Sequence, residues 1–215
     1  MTLVDPSAFV PRSAPEEIAG QSSVAGEWRG FVDYALDKSR TLGGPEPVQS
    51  ALLITGTRLE WPDRLPCRSP TPAVIVDLDQ GPSAFSPTPS AQPVAGLPEG
   101  LAQLRAAGVV VMWVSAADAN RVTAIGDALR SSGLDTAGKD PLLLVRSGEE
   151  RKQVMRDEAN KSVCIIAMAG DRRSDFDELF DYLRDPSSAV GLDAMLGEGW
   201  FIVPPPLGEV PAPAN

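Results

Sequence analysis

Residues 72–79 read Pro72-Ala73-Val74-Ile75-Val76-Asp77-Leu78-Asp79. Ala73 to Val76 is apolar at every position, and three of its four residues are β-branched. A run with no polar face predicts a strand buried on both sides, the habit of the central strands of parallel sheets. The run ends in two acids with one residue between them. On an extended chain side chains two apart point the same way, so both carboxylates leave the strand end together.

A parallel neighbour can be reached only through a crossover, and the downstream sequence supplies several. Leu101 and Leu104 mark a helix over 99–107, stopped by Gly108, which feeds an apolar strand over 109–114. Val122, Ile125 and Leu129 lie on one face of a helix over 117–132, followed by a strand over 142–145. A helix over 149–160, a strand over 163–168, a helix over 176–183 and a short strand over 200–203 complete the series. This alternation predicts an α/β three-layer sandwich with a parallel central sheet and helices on both faces.

Upstream, Trp28, Phe31, Val32, Ala35 and Leu36 recur at helical spacing and predict a helix over 26–39, ended by Gly43-Gly44-Pro45. Residues 51–55 are strand-like but short, and Pro62, Pro66, Pro70 and Pro72 break regular structure between them and the first long strand. Residues 1–23, rich in Pro, Ser, Ala and Gly, read as a flexible N-terminal segment ahead of one domain over 24–215. Between the first acidic strand end and Leu97, the prolines Pro82, Pro87, Pro89 and Pro93 predict a loop, taken over 80–98, and no packed element.

Composition narrows the chemistry. The 215 residues hold 19 Lys and Arg against 29 Asp and Glu, a formal charge of -10, and no histidine. Ser-His-Asp hydrolysis, Cys-His proteolysis and His-ligated zinc are thereby excluded, and attraction to nucleic acid polymers is disfavoured. Acid–base work falls to carboxylates or lysine. The two cysteines, Cys67 and Cys164, have no metal or redox spacing, and Cys164 opens an apolar run. An inert buried thiol is the simpler reading, with a single bridge left open. The first residues, Met1-Thr2-Leu3-Val4-Asp5-Pro6, lack the pattern of an export signal, and no stretch predicts a membrane span.

In open parallel sheets ligands gather beyond the carboxyl ends of the strands, and those ends are polar here. Asp77 and Asp79 follow the first strand and Ser115 the second. Lys152 lies in the helix after the third, and Gly170-Asp171-Arg172-Arg173-Ser174-Asp175 follows the fourth. Singly, each has an ordinary explanation: a solvated turn, a helix cap, an exposed charge. Together, acids converging at one rim would repel one another unless a cation sat among them, and oxygen ligands with room for water suit Mg²⁺.

In this order, these residues resemble the four motifs of the haloacid dehalogenase-like phosphohydrolases, and most closely the class C acid phosphatases, a branch of non-specific acid phosphatases and nucleotidases. The likeness runs from about Val24 to Gly208. It includes Pro66-Cys67, the strand ending Asp77-Leu78-Asp79, Leu104-Arg105-Ala106-Ala107-Gly108-Val109, and the helix of Lys152 and Arg156. It continues through Ala167-Met168-Ala169-Gly170-Asp171 with Asp175-Phe176, Leu179-Phe180, and Gly199-Trp200-Phe201-Ile202-Val203-Pro204.

The resemblance implies hydrolysis of small phosphomonoesters. Asp77 would be the nucleophile and form an aspartyl-phosphate, and Asp79 the general acid and base. Ser115 and Lys152 would hold phosphoryl oxygens, and Mg²⁺ would be bound by Asp77, the Asp79 carbonyl and Asp171, with Asp175 in support. It also implies export or membrane anchorage, which the chain itself does not indicate. Three features depart from the family pattern: Gln80-Gly81 after the second acid, a much shortened cap over 80–98, and Arg172-Arg173 after Asp171. In that cap only Phe85 offers a ring for a substrate, and Arg172 offers a second cation. The departures also admit a catalytically impaired protein that binds an anion or a partner.

Overall fold

The computed structural model describes residues 26–148 and 150–209. The N-terminal segment expected over 1–23 lies outside them. The element order is α1 (Gly26–Thr41), β1 (Gln49–Leu53), β2 (Arg64–Pro66), β3 (Pro72–Asp77), β4 (Ala91–Pro93), α2 (Leu97–Ala106), β5 (Val110–Asp118), α3 (Val122–Ser131), β6 (Leu142–Val145), α4 (Lys152–Ala159), β7 (Cys164–Gly170), β8 (Trp200–Ile202) and β9 (Leu207–Glu209), with short 3₁₀ turns between. Five strands form one sheet in the order β6-β5-β3-β7-β8, and every neighbouring pair in it is parallel.

β3 lies in the middle because its sequence has no face to give to water. Val74 and Val76 point into one core, with Trp28, Phe31, Leu101, Leu104 and Ile125. Ala73 and Ile75 point into the other, with Leu52, Met155, Phe176, Leu192 and Trp200. The alternation of the pleat thus divides one apolar run between two helical layers. From β3 the chain builds outward through β5 to β6, then returns by α4 to place β7 on the other side of β3. That reversal opens a crevice beyond the carboxyl end of β3, where Asp77 stands.

Several local expectations are corrected. β5 continues through Asp118, and α3 starts at Val122, after a 3₁₀ turn in which the Asp118 carboxylate accepts from the Asn120 amide. α4 starts at Lys152. Over 176–183, where a helix is expected, there is instead a single 3₁₀ turn, Glu178–Asp181, shortly after another at Arg173–Asp175. Asp177 interrupts there, in extended backbone, with its carboxylate accepting from the Leu179 amide. Three short strands have no readable period: β2, which pairs antiparallel with β1, and β4, inside the proline-rich stretch, which pairs antiparallel with β9.

The free-thiol reading is also corrected. Cys67 and Cys164 are joined in a disulfide with Cα atoms 5.1 Å apart. The backbone sets up the pair, since the Cys67 amide donates to Val48 O and the Cys164 amide to Thr71 O. The bridge ties the segment after β2 to the first residue of β7.

Candidate active site

Asp77 is the last residue of β3, and the Leu78 amide donates to Val114 O, which extends the pairing with β5 by one step. Leu78 is packed in the core, so Asp77 and Asp79 are turned together to the other side, into the crevice. The Asp79 amide donates to Asp77 Oδ1 at 2.9 Å. Both acids are almost fully enclosed, at 2% and 4% exposure.

Lys152, at the start of α4, reaches the same point. Its Nζ lies 2.6 Å from Asp77 Oδ2, 3.2 Å from Asp79 Oδ2 and 3.1 Å from Asp175 Oδ1. One ammonium therefore joins residues brought by three different elements. Burial alone would lower the Lys152 pKa, but the carboxylates of Asp77, Asp175 and Asp79 outweigh it and raise the pKa above its ordinary value. Asp77 is shifted the other way for an acid. Burial raises its pKa, Lys152 opposes the rise, Asp175 and Asp79 add to it, and the result is about 7.

Asp79 is held on both oxygens. Oδ1 accepts from Ser115 Oγ at 2.5 Å and from the Phe85 amide at 2.9 Å, and Oδ2 from the Ala116 amide at 2.9 Å. The Ser115 hydroxyl, expected to face a substrate oxygen, is thus directed at the second acid. Phe85 is 3% exposed and packed among core residues, and it also borders the groove beyond Asp79. To Asp79 it contributes its backbone N–H.

The turn after β7 brings the remaining acids. Asp175 Oδ2 accepts the amides of Asp171 and Arg172, each at 3.0 Å, and so fixes the turn on which it rides. Gly170 permits this closeness, because a Cβ there would fall 2.6 Å from Asp175 Cβ. Asp171 Oδ2 accepts from the Gly81 amide at 2.7 Å, which ties the end of β7 to the loop beyond β3. Arg172 is partly exposed, with Nη2 3.7 Å from Asp175 Oδ1 and Nε 3.9 Å from Asp171 Oδ1.

Whether these residues suit Mg²⁺ turns on their free atoms. Asp171 Oδ1 is buried and has no hydrogen-bond partner, with Arg172 Nε 3.9 Å away as a nearby cation, so one acceptor oxygen at the site is left without a donor. Among the described residues no three acidic, His or Cys side chains gather closely enough to hold an ion by themselves. Mg²⁺ does not require that. It is commonly held by one or two carboxylates, with water and substrate phosphate filling the remaining positions. As donor types, Asp77, Asp171 and the Asp79 carbonyl suit that mode.

One functional residue carries no role in the sequence reading. Arg156, one turn beyond Lys152, is completely buried and donates to Asp175 O at 2.6 Å and to Gln153 Oε1 at 2.8 Å. Burial lowers its pKa. The readable signal is its place in α4, since Met155, Arg156 and Ala159 form the inward stripe; a cation on such a stripe needs a polar partner inside the fold.

No protein-family model matches the chain, and no curated protein does. Solved structures do. The class C acid phosphatase from Bacillus anthracis with tungstate bound matches with a TM-score of 0.54 and 19% identity, over 86% of this chain and 81% of that one. A second structure of the class C acid phosphatase from that organism matches with a TM-score of 0.53 and 19% identity, over 86% and 80%. Identity this low speaks for architecture alone, and the chain shares the α/β architecture of these class C acid phosphatase structures.

Proposed function

We propose that this protein is a phosphatase that hydrolyses small phosphomonoesters through a phosphorylated Asp77. The observation that carries the reading is the single Lys152 ammonium in reach of Asp77, Asp79 and Asp175 at the strand-reversal crevice. The lysine offsets the repulsion among the acids and stands where a phosphoryl group would meet them. The fold likeness to class C acid phosphatases, one of them holding the oxyanion tungstate, supports the same reading.

In this reading Asp77 attacks phosphorus, an acyl phosphate forms through a bond from an Asp77 carboxylate oxygen to phosphorus, and the bond from phosphorus to the alcohol oxygen breaks. Asp79 gives that oxygen its proton. It later takes a proton from the water that cleaves the acyl phosphate and releases phosphate. Asp79 holds its place during these transfers through the Ala116 and Phe85 amides, which stay donors throughout. Ser115 Oγ can rotate, donating to Asp79 when it is a carboxylate and turning away when it is protonated. Lys152 exchanges carboxylate contacts for phosphoryl oxygens, and Arg156 keeps the Asp175 turn pinned to α4. Mg²⁺ held by Asp77, the Asp79 carbonyl and Asp171 would offset the repulsion between the nucleophile and its anionic target.

The test is Mg²⁺-dependent hydrolysis of p-nitrophenyl phosphate. Asp77→Asn should lower kcat by roughly a thousandfold or more while circular dichroism shows an unchanged fold. A competing reading, an anion-binding protein without turnover, draws on the position of Arg172 beside Asp175. Phosphate binding with no hydrolysis from about pH 4 to 8, whichever of Mg²⁺, Mn²⁺ or Co²⁺ is supplied, would establish that alternative.

A further inference from the structure

We infer that the groove between residues 80–94 and 204–208 receives the leaving group, and that it selects uncharged, largely apolar alcohols over anionic ones. This deepens the phosphatase reading and rests on it. The groove encloses about 650 Å³. It begins at Gln80, the residue after Asp79, and the alcohol oxygen must lie against Asp79 to take its proton. Whatever is attached to that oxygen extends along the loop beyond Asp79.

That loop is fastened to the site and to the opposite wall. The Phe85 amide donates to Asp79 and the Gly81 amide to Asp171. Across the groove, Gln80 Nε2 donates to Leu207 O at 3.0 Å and the Val94 amide to Pro206 O at 3.1 Å, while β4 pairs with β9. Both walls are therefore set before any ligand arrives.

The lining is distinctive in its chemistry. Although 22% of the chain is charged, no charged side chain among the described residues lines this groove. Ala84, Pro93, Val94, Pro204 and Leu207 give it apolar walls, and Ser83 and Gln92 offer neutral hydrogen-bonding groups. Arg121 donates to Ser86 Oγ at 3.1 Å in an exposed bond, outside the lining. An anionic leaving group would give up water there without gaining a buried counter-charge, whereas an apolar one gains from leaving water. The alcohol, protonated by Asp79 as its bond to phosphorus breaks, departs along the same path.

The experiment compares 2-naphthyl phosphate with 4-carboxyphenyl phosphate, whose phenols are similar in acidity but differ in charge. Wild type should favour the naphthyl ester in kcat/KM by about tenfold. Ala84→Arg, at an exposed lining position, should shrink that preference by about threefold or more, and Ala84→Gln should keep it. In parallel, 2-naphthol titrated into the full chain should move the methyl NMR signals of Val94 and Leu207, while 4-hydroxybenzoate should not. Hydrolysis with equal preference, or naphthol shifts confined to a different groove at Leu142 and Leu144, overturns the inference and leaves the phosphatase standing. Naphthol binding at Val94 and Leu207 without hydrolysis of either ester overturns the phosphatase reading instead.

Discussion

Asp77 is a carboxyl group surrounded by protein, with one ammonium and two other carboxylates as its nearest charges. Its pKa of about 7, set first by burial, lies well above the ordinary value of 3.8. Folded protein therefore keeps a proton that the unfolded chain has already released. Stability from this group is complete below about pH 4 and is lost as pH rises toward 7. With EDTA present, the Tm of wild type should fall between about pH 4 and 7, and Asp77→Asn should flatten that part of the fall. Equal slopes in both proteins would place the proton elsewhere. A divalent cation beside Asp77 favours its charged form, so adding Mg²⁺ should reduce the slope in wild type alone.

At the scale of elements, the site depends on how closely the turn after β7 folds back on itself. Gly170 has no side chain because Asp175 fills that space. Gly170→Ala should push Asp175 away from Lys152 and the two amides it accepts, lowering kcat by about tenfold to a hundredfold with a smaller loss of stability, separable by kinetics and urea unfolding. A fully active Gly170→Ala would mean the turn has more freedom than its hydrogen bonds suggest. The long elements were legible because burial wrote itself into their periodicity, as in the unbroken apolar β3 and the stripe of α3. Asp77, Asp79, Ser115, Lys152, Asp171 and Asp175 were legible as a set because each sits next to such an element. The short strands β2, β4 and β9 carry no period at three residues each and are fixed by distant pairing. The Ser115–Asp79 bond and the inward turn of Phe85 were hidden for a related reason. Both depend on the path of an irregular loop, which local sequence does not encode.

Across the whole molecule, one covalent bond holds together segments 97 residues apart in sequence. Closing so long a loop restricts the unfolded chain and stabilises the fold by about 2–5 kcal/mol. Wild type should therefore lose Tm on treatment with a reducing agent, and Cys67→Ser should start from the lower Tm and ignore the reductant. A reductant-insensitive wild type would show that the bridge adds nothing. The bond also lies in line with the chemistry, for Cys164 opens the strand that Gly170 closes, one residue before Asp171. Thiol bridges endure where the surroundings are oxidising and are rare where glutathione prevails. Two preparations of identical sequence, one matured in air and the other recovered from a thiol-rich lysate, will hence differ at the foot of β7, and their catalytic records should be compared only after their oxidation histories are matched.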